Sequence, residues 1–173
     1  QMASNAKRRG MTAPLANVAN IRWTLPRYEA VAAGLLVAGA QIDGFVAGAK
    51  SVDPTIDVRV TYIGSFSDVA LAAEAATTHI AAGADILTGS AQMVVGAIGK
   101  AEEAGLYWFG TQSDQNAFAP KTVVASQVYH WEGILREIIA LRAAGTMGGK
   151  TFSASLQNGG QVISINPGIE LSA

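Results

Sequence analysis

The sequence contains no cysteine. That excludes a disulfide framework, a thiol nucleophile, an iron–sulfur cluster and Cys-ligated zinc, and leaves the redox compartment open. Histidine is scarce as well, with only His79 and His130, few for a metal site. Twelve Lys and Arg stand against thirteen Asp and Glu, a formal net charge of -1, so there is no excess field to gather phosphate backbones or anionic lipid. That balance argues against a dedicated nucleic-acid binder. No apolar run is long enough to span a bilayer: the longest, Ala30 to Ala40, is followed by Gln41 and Asp43, whereas a span needs about 20 residues. The basic run Lys7-Arg8-Arg9 lacks the apolar stretch of a signal peptide behind it and reads as a solvated terminal charge run. Common catalytic signatures are absent too, with no Gly-x-Ser-x-Gly elbow and no His-Glu-x-x-His.

What is present is a chain of 173 residues, 50% hydrophobic and 14% charged, the balance of a well-buried globular protein. At about 150 residues per domain, this is one domain or one plus a piece of another. Asp57 to Ile63 alternates polar and apolar residues with β-branched enrichment and predicts a strand ending at Gly64. Ser67 to Ala82 has helical spacing, with a Ser/Asp start for a cap and Gly83 beyond its end. A short strand over Ala84 to Leu87, a helix over Ala91 to Ala104 and the aromatic strand Leu106 to Phe109 complete a β-α-β-α-β order. Such alternation implies parallel strands joined by right-handed crossovers, an α/β fold with a doubly wound parallel sheet over about Ile42 to Val128. Helices are also expected from Pro26 through Leu36, over Ile42 to Lys50, and over Trp131 to Ala144. Thr151–Leu156 and Gln161–Ile165 flank Asn158-Gly159, a strong hairpin signal.

In open parallel sheets, ligands sit beyond the carboxyl ends of the strands, where helix N-termini and loop amides converge. That rule selects Gly64 to Asp68, Thr88 to Ser90 and Gly110 to Gln115. Small residues let backbone approach a ligand, hydroxyls, amides and carboxylates orient it, and Phe66 adds an aromatic face. A polar small molecule with a flat ring suits this set. The plain alternative is that Ser67 and Asp114 cap helices. Asp68 and Asp114 are candidates for a carboxylate pair, read as orienting a ligand since no nucleophile or metal accompanies them. Trp108, inside a strand, reads as core. Ala144 to Thr151 matches a relaxed phosphate-loop pattern, but a helix precedes it and a strand follows, the reverse of the geometry that aims a helix N-terminus at phosphate.

The blocks Val52-Asp53-Pro54, Tyr62 to Asp68, Ala81 to Ile86, Ala101 to Gly105, Phe109 to Gln115 and Phe118 to Thr122, in that order, resemble the basic membrane protein (BMP) family. These are substrate-binding proteins of ABC importers, typically for purine nucleosides and related compounds. The resemblance runs from about Asn17 to Pro167 and implies a type I periplasmic-binding-protein-like fold of two α/β lobes closing on a ligand by a hinge. It further implies that the first lobe is largely missing from this sequence. Residues 1–40 then end the first lobe, 41–125 form the second, and 126–173 supply a returning helix and terminal hairpin of the first. The family's opening strand of the second lobe falls near Ala40-Gln41.

Carried over by position, Phe66 resembles the aromatic that stacks on a purine, worth roughly 1–3 kcal/mol per base. Ser90 lies in the next strand-end loop. Where the family commonly has Asp-Ser-Asp-Gln, this chain has Gln112-Ser113-Asp114-Gln115. The first Asp is the one expected to hold ribose hydroxyls, and here its charge is gone. A Lys often found before the Gly-Gly of the last hairpin is replaced by Gln157 or Asn158. Both departures weaken the nucleoside reading and leave room for a bare purine base or another neutral heterocycle, so the expected ligand is a purine nucleobase, nucleoside or similar heterocycle. Trp131, at the start of the returning helix, resembles a tryptophan seen in some such variants and is expected to wall the site. The expected ligand-binding set is therefore Phe66, Ser90, Gln112, Asp114 and Trp131, with no cofactor, no metal and no catalysis. The resemblance implies a purine-like ligand, the membrane subunits of an ABC transporter as partners, and a periplasmic or cell-surface lipoprotein. The competing readings are a ligand-sensing domain of a regulatory protein and a nucleoside-acting enzyme with Asp68 or Asp114 as base.

Overall fold

The computed structural model describes residues 19–22 and 41–170. In chain order the elements are strand β1 (Ala19–Arg22), helix α1 through 41–52, helix α2 (Val69–Ala81), strand β2 (Ile86–Thr88), helix α3 (Val94–Glu103), strand β3 (Tyr107–Gly110), strand β4 (Val123–Tyr129), helix α4 (Glu132–Ala143), strand β5 (Thr151–Ala154) and strand β6 (Gln161–Ile165). The helix expected from Pro26, the basic run at residues 7–9 and residue 40 of the expected opening strand lie outside the described residues; residue 41 is helical. The chain divides into two compact units, 1–56 with 147–155 and 57–146 with 156–173. The first contains the antiparallel pair β1–β5. The second contains a four-stranded sheet in the order β2-β3-β4-β6, with β2, β3 and β4 parallel and β6 antiparallel to β4. The fold is a mixed α/β fold with a parallel-dominated sheet.

Local chemistry accounts for the helices of the second unit. Asp68 is the N-cap of α2, its carboxylate accepting the Leu71 N–H at 3.0 Å, which satisfies one of the first-turn donors that a helix leaves open. Ser67 does not cap it. Thr77 and Thr78 donate their hydroxyls back to the carbonyls of Ala73 and Glu74, so β-branched polar side chains are accommodated inside an alanine-rich helix. Ala72 and Ala76, one turn apart, are the buried residues of α2. Against it lies α3, and Gly96 marks the closest approach: a Cβ added there would strike the Val69 carbonyl oxygen.

Helix α3 packs on β2 and β3, and the core forms there from Val94, Ile98, Trp108, Ala119 and Val123. Trp108 is the largest side chain in it, at 1% exposure, as its place inside a strand predicts. Burying an aromatic of this size is among the larger single contributions to stability.

Two expectations fail, and one strand has no counterpart in the sequence reading. Residues 57–63 form no strand: alternation makes a segment able to lie on a pleated surface, but a strand exists only where a neighbour completes the ladder. The hairpin around Asn158-Gly159 is absent as well, because β5 pairs with β1 and β6 with β4. Six residues separate the two strands, and the Asn158 side chain accepts the Gly160 N–H, a local turn that does not bring the strands together. Finally, β4 is a strand that the sequence reading does not assign, although Val123, Val124, Val128 and Tyr129 carry the β-branched and aromatic signal. The β3–β4 connection over 111–122 contains no helix. A parallel crossover is usually helical, and here it is an irregular loop held by side chains.

Candidate functional site

All five sequence-predicted residues fall in the second unit: Ser90, Gln112 and Asp114 in strand-end loops, Trp131 at a helix start, and Phe66 in the loop before α2, which no strand directly precedes. The loop after β2 carries Ser90, and the loop after β3 carries Gln112 and Asp114. Thr111 fastens the two loops, donating its hydroxyl to the Gly89 carbonyl at 2.6 Å. Below them, the Thr88 hydroxyl donates to the Phe109 carbonyl at 2.8 Å. The result places the Gln112 amide nitrogen 3.4 Å from Ser90 Oγ. The structure thus brings together two neutral residues that can each donate and accept.

Both are delivered by unusual backbone. Gln112 has φ +73° and Ala91, directly after Ser90, has φ +84°. These are the only non-glycine positive-φ residues among those described. At Gln112 the Ser113 N–H also reaches back to the Thr111 carbonyl at 2.9 Å, a γ-turn of the rare, strained hand. Such conformations cost on the order of 1–3 kcal/mol and persist only where surroundings enforce them. Next to this turn lies Gln115, which sequence reasoning placed in the loop without a role. It is 4% exposed; its Oε1 accepts the Trp108 indole N–H at 2.8 Å, its amide donates to the Thr111 carbonyl at 2.9 Å, and its backbone N–H donates to Ser126 Oγ at 3.0 Å. Gly110 has to be glycine for this arrangement, since an added Cβ would lie 2.9 Å from Gln115 Oε1 and closer still to Ser126 Oγ.

The aromatic residues divide. The Gln112 carbonyl accepts the Tyr129 N–H at 3.3 Å, and the Tyr129 ring stacks on Trp131, centroids 5.0 Å apart with an interplanar angle of 29°. Trp131, the N-cap residue of α4, is therefore connected through Tyr129 to Gln112. Tyr129 is a residue that sequence reasoning missed, lying in the strand it did not assign. Phe66 is 46% exposed in the loop before α2, and its carbonyl accepts the Met93 N–H. That bond joins its loop to the segment following Ser90.

Asp114 is committed elsewhere. One carboxylate oxygen accepts the Asn116 N–H at 2.9 Å and the other accepts the Ser164 hydroxyl at 2.8 Å, tying the crossover loop to β6. It caps no helix. Asp68 is occupied as the α2 cap, so the two carboxylates considered as a pair each serve local structure. His79 meets the Thr61 hydroxyl at 2.9 Å, and His130 donates its backbone N–H to the Gly160 carbonyl. The segment resembling a phosphate loop lies after α4 and before β5, the order that rules out a helix N-terminus facing phosphate. Among the described residues, no group of three or more His, Asp or Glu is placed to hold a metal, and no helix is long and apolar enough to cross a membrane.

A purine-binding protein from Brucella abortus (strain 2308) is 37% identical over 90 residues, 52% of this chain and 25% of that protein. Basic membrane protein A from Borreliella afzelii is 38% identical over 86 residues, 48% of this chain and 26% of that protein. Among solved structures, an ABC transporter system solute-binding protein from Conexibacter woesei DSM 14684 shares the fold with a TM-score of 0.60 at 22% identity, over 78% of this chain and 44% of that one. A second, from Aeropyrum pernix K1, gives 0.63 at 23% identity, over 72% and 36%. The chain thus matches about a quarter of the length of the curated relatives and less than half of the solved structures. The family profile described as ABC transporter substrate-binding protein PnrA-like matches residues 10–170, and the chain belongs to that Bmp family.

Proposed function

We propose that this chain contributes the ligand-gripping loops of an extracytoplasmic receptor that hands a purine base, or a similar neutral heterocycle, to an ABC importer without altering it chemically. The observation that carries this reading is the neutral Ser90–Gln112 pair beside the stacked Tyr129 and Trp131. Amide and hydroxyl groups match the alternating donors and acceptors at the edge of a purine, and aromatic faces match its flat surface. At position 112 there is no carboxylate to hold paired ribose hydroxyls. Family membership and the purine-binding relative support the ligand class. In this reading Phe66 stacks on the ring, Ser90 and Gln112 address its edge, Trp131 walls it, and Asp114 orders the loop that presents Gln112. Residues 1–40 close the first lobe of the family fold, 41–125 carry the second, and 126–173 lead back to the first. The membrane subunits of the importer are the partners, and the receptor is periplasmic or a cell-surface lipoprotein.

Native mass spectrometry of the purified protein, with denaturation in the same run, tests whether a purine-like mass is released. Titration calorimetry with hypoxanthine and adenosine then ranks base against nucleoside. Tighter binding of hypoxanthine is expected, together with a loss of roughly 1–3 kcal/mol on Phe66→Ala. Tighter binding of adenosine would overturn the base assignment, and a chain that releases and binds no purine would overturn the ligand class.

A further inference from the structure

We propose that Gln115 is a positioning residue for ligand: it braces the strained turn at Gln112 and so sets the direction of the Gln112 side chain toward Ser90. The inference rests on the reading of Gln112 as ligand-facing. Three bonds converge on this one residue from β3, the crossover loop and β4. Its amide donates to the Thr111 carbonyl, the same oxygen that accepts the Ser113 N–H to close the γ-turn. Its acceptor is filled by Trp108, a core residue at 1% exposure, so the brace is anchored in the most rigid part of the unit rather than in another loop. Gly110 lies close against it, where an added Cβ would come within 2.9 Å of Gln115 Oε1 and closer still to Ser126 Oγ. A glutamine this buried with both ends of its amide engaged transmits the order of the core to the loop above it. Positive φ is uncommon for glutamine, which is neither glycine nor one of the short side chains that favour that region.

The test uses the full chain and two readouts. Backbone ¹⁵N relaxation on Gln115→Met is expected to lower the order parameters of Gln112 and Ser113 from the rigid range near about 0.85 to below about 0.6, while β3 stays rigid. In calorimetry with hypoxanthine, Gln115→Met is expected to weaken binding about tenfold in the wild-type background and to cost little more in the Gln112→Gly background. There the turn needs no brace and there is no side chain to aim. A purely structural role would lower affinity by the same factor in both backgrounds. Gln115→Glu, which retains an acceptor for Trp108 but removes the donor to Thr111, is expected to loosen the same two residues and serves if the methionine variant does not fold. Unchanged order parameters at Gln112 and Ser113 would overturn the proposal whether or not hypoxanthine binds. Failure of the wild-type protein to bind hypoxanthine would instead count against the purine reading, with the relaxation data still deciding the brace.

Discussion

Trp108 and Asp53 illustrate how differently single residues depend on burial. The Trp108 indole is both core volume and hydrogen-bond donor to Gln115. Trp108→Phe should therefore cost about 2–4 kcal/mol, a cavity contribution plus an acceptor left buried without its partner. Urea unfolding of the variant checks this, and a change under about 1 kcal/mol would mean that the indole N–H bond carries little. Asp53 is fully exposed, yet the Thr55 hydroxyl and, secondarily, the Thr55 backbone N–H donate to its carboxylate and hold its pKa below the ordinary value. The proton is thus bound more weakly in the folded state than in the unfolded one. The resulting stabilisation is present above the unfolded-state pKa and is lost as pH falls through the lower folded-state value. Thr55→Val should move the Asp53 titration upward in an NMR pH series, because it removes the larger of the two contributions and leaves the backbone donor. No upward movement would assign the shift to the backbone alone.

Between elements, the decisive contact is that of α2 with α3. Gly96 lets α3 approach until the Val69 carbonyl occupies the place of a side chain. Gly96→Ala would gain helix propensity of roughly 1 kcal/mol, but the added methyl meets backbone rather than a flexible side chain, so the helices must separate. A net loss of about 1–3 kcal/mol is expected, measured by thermal or urea unfolding. A stabilised variant would mean that the helices separate at little cost. Three exposed ion pairs, Arg59–Asp57, Lys100–Glu103 and Arg136–Glu132, carry little by comparison. Helix α4 has no buried residue, Leu135 and Ile139 lie exposed on it, and Ile134, Ile138 and Leu141 form its half-buried face.

For the whole molecule, the consequence of proposed purine binding is linkage. A ligand held only by the folded state at 100 times its Kd should raise the unfolding free energy by about 2.7 kcal/mol, seen as a concentration-dependent Tm. With a neutral ligand and a net charge of -1, that gain should change little with ionic strength; a strong salt dependence would indicate an anionic ligand. The elements with short-range signals were legible in the sequence: α2 from its Asp68 cap and alanine spacing, β2 and β3 from short apolar runs, Trp108 as core, and Ser90 and Gln112 as strand-end residues. Their physics is local, since capping and periodicity involve residues a few positions apart. What the sequence could not determine is pairing over distance. It offered a strand at 57–63 that has no ladder and a hairpin at Asn158-Gly159 whose strands found other partners, because hydrogen bonds between strands depend on which edges the tertiary fold leaves available. Tertiary structure also decided the contacts of Gln115, Tyr129 and Asp114. Their bonds to Trp108 and Ser126, to the ring of Trp131, and to Ser164 join residues that only folding brings within reach.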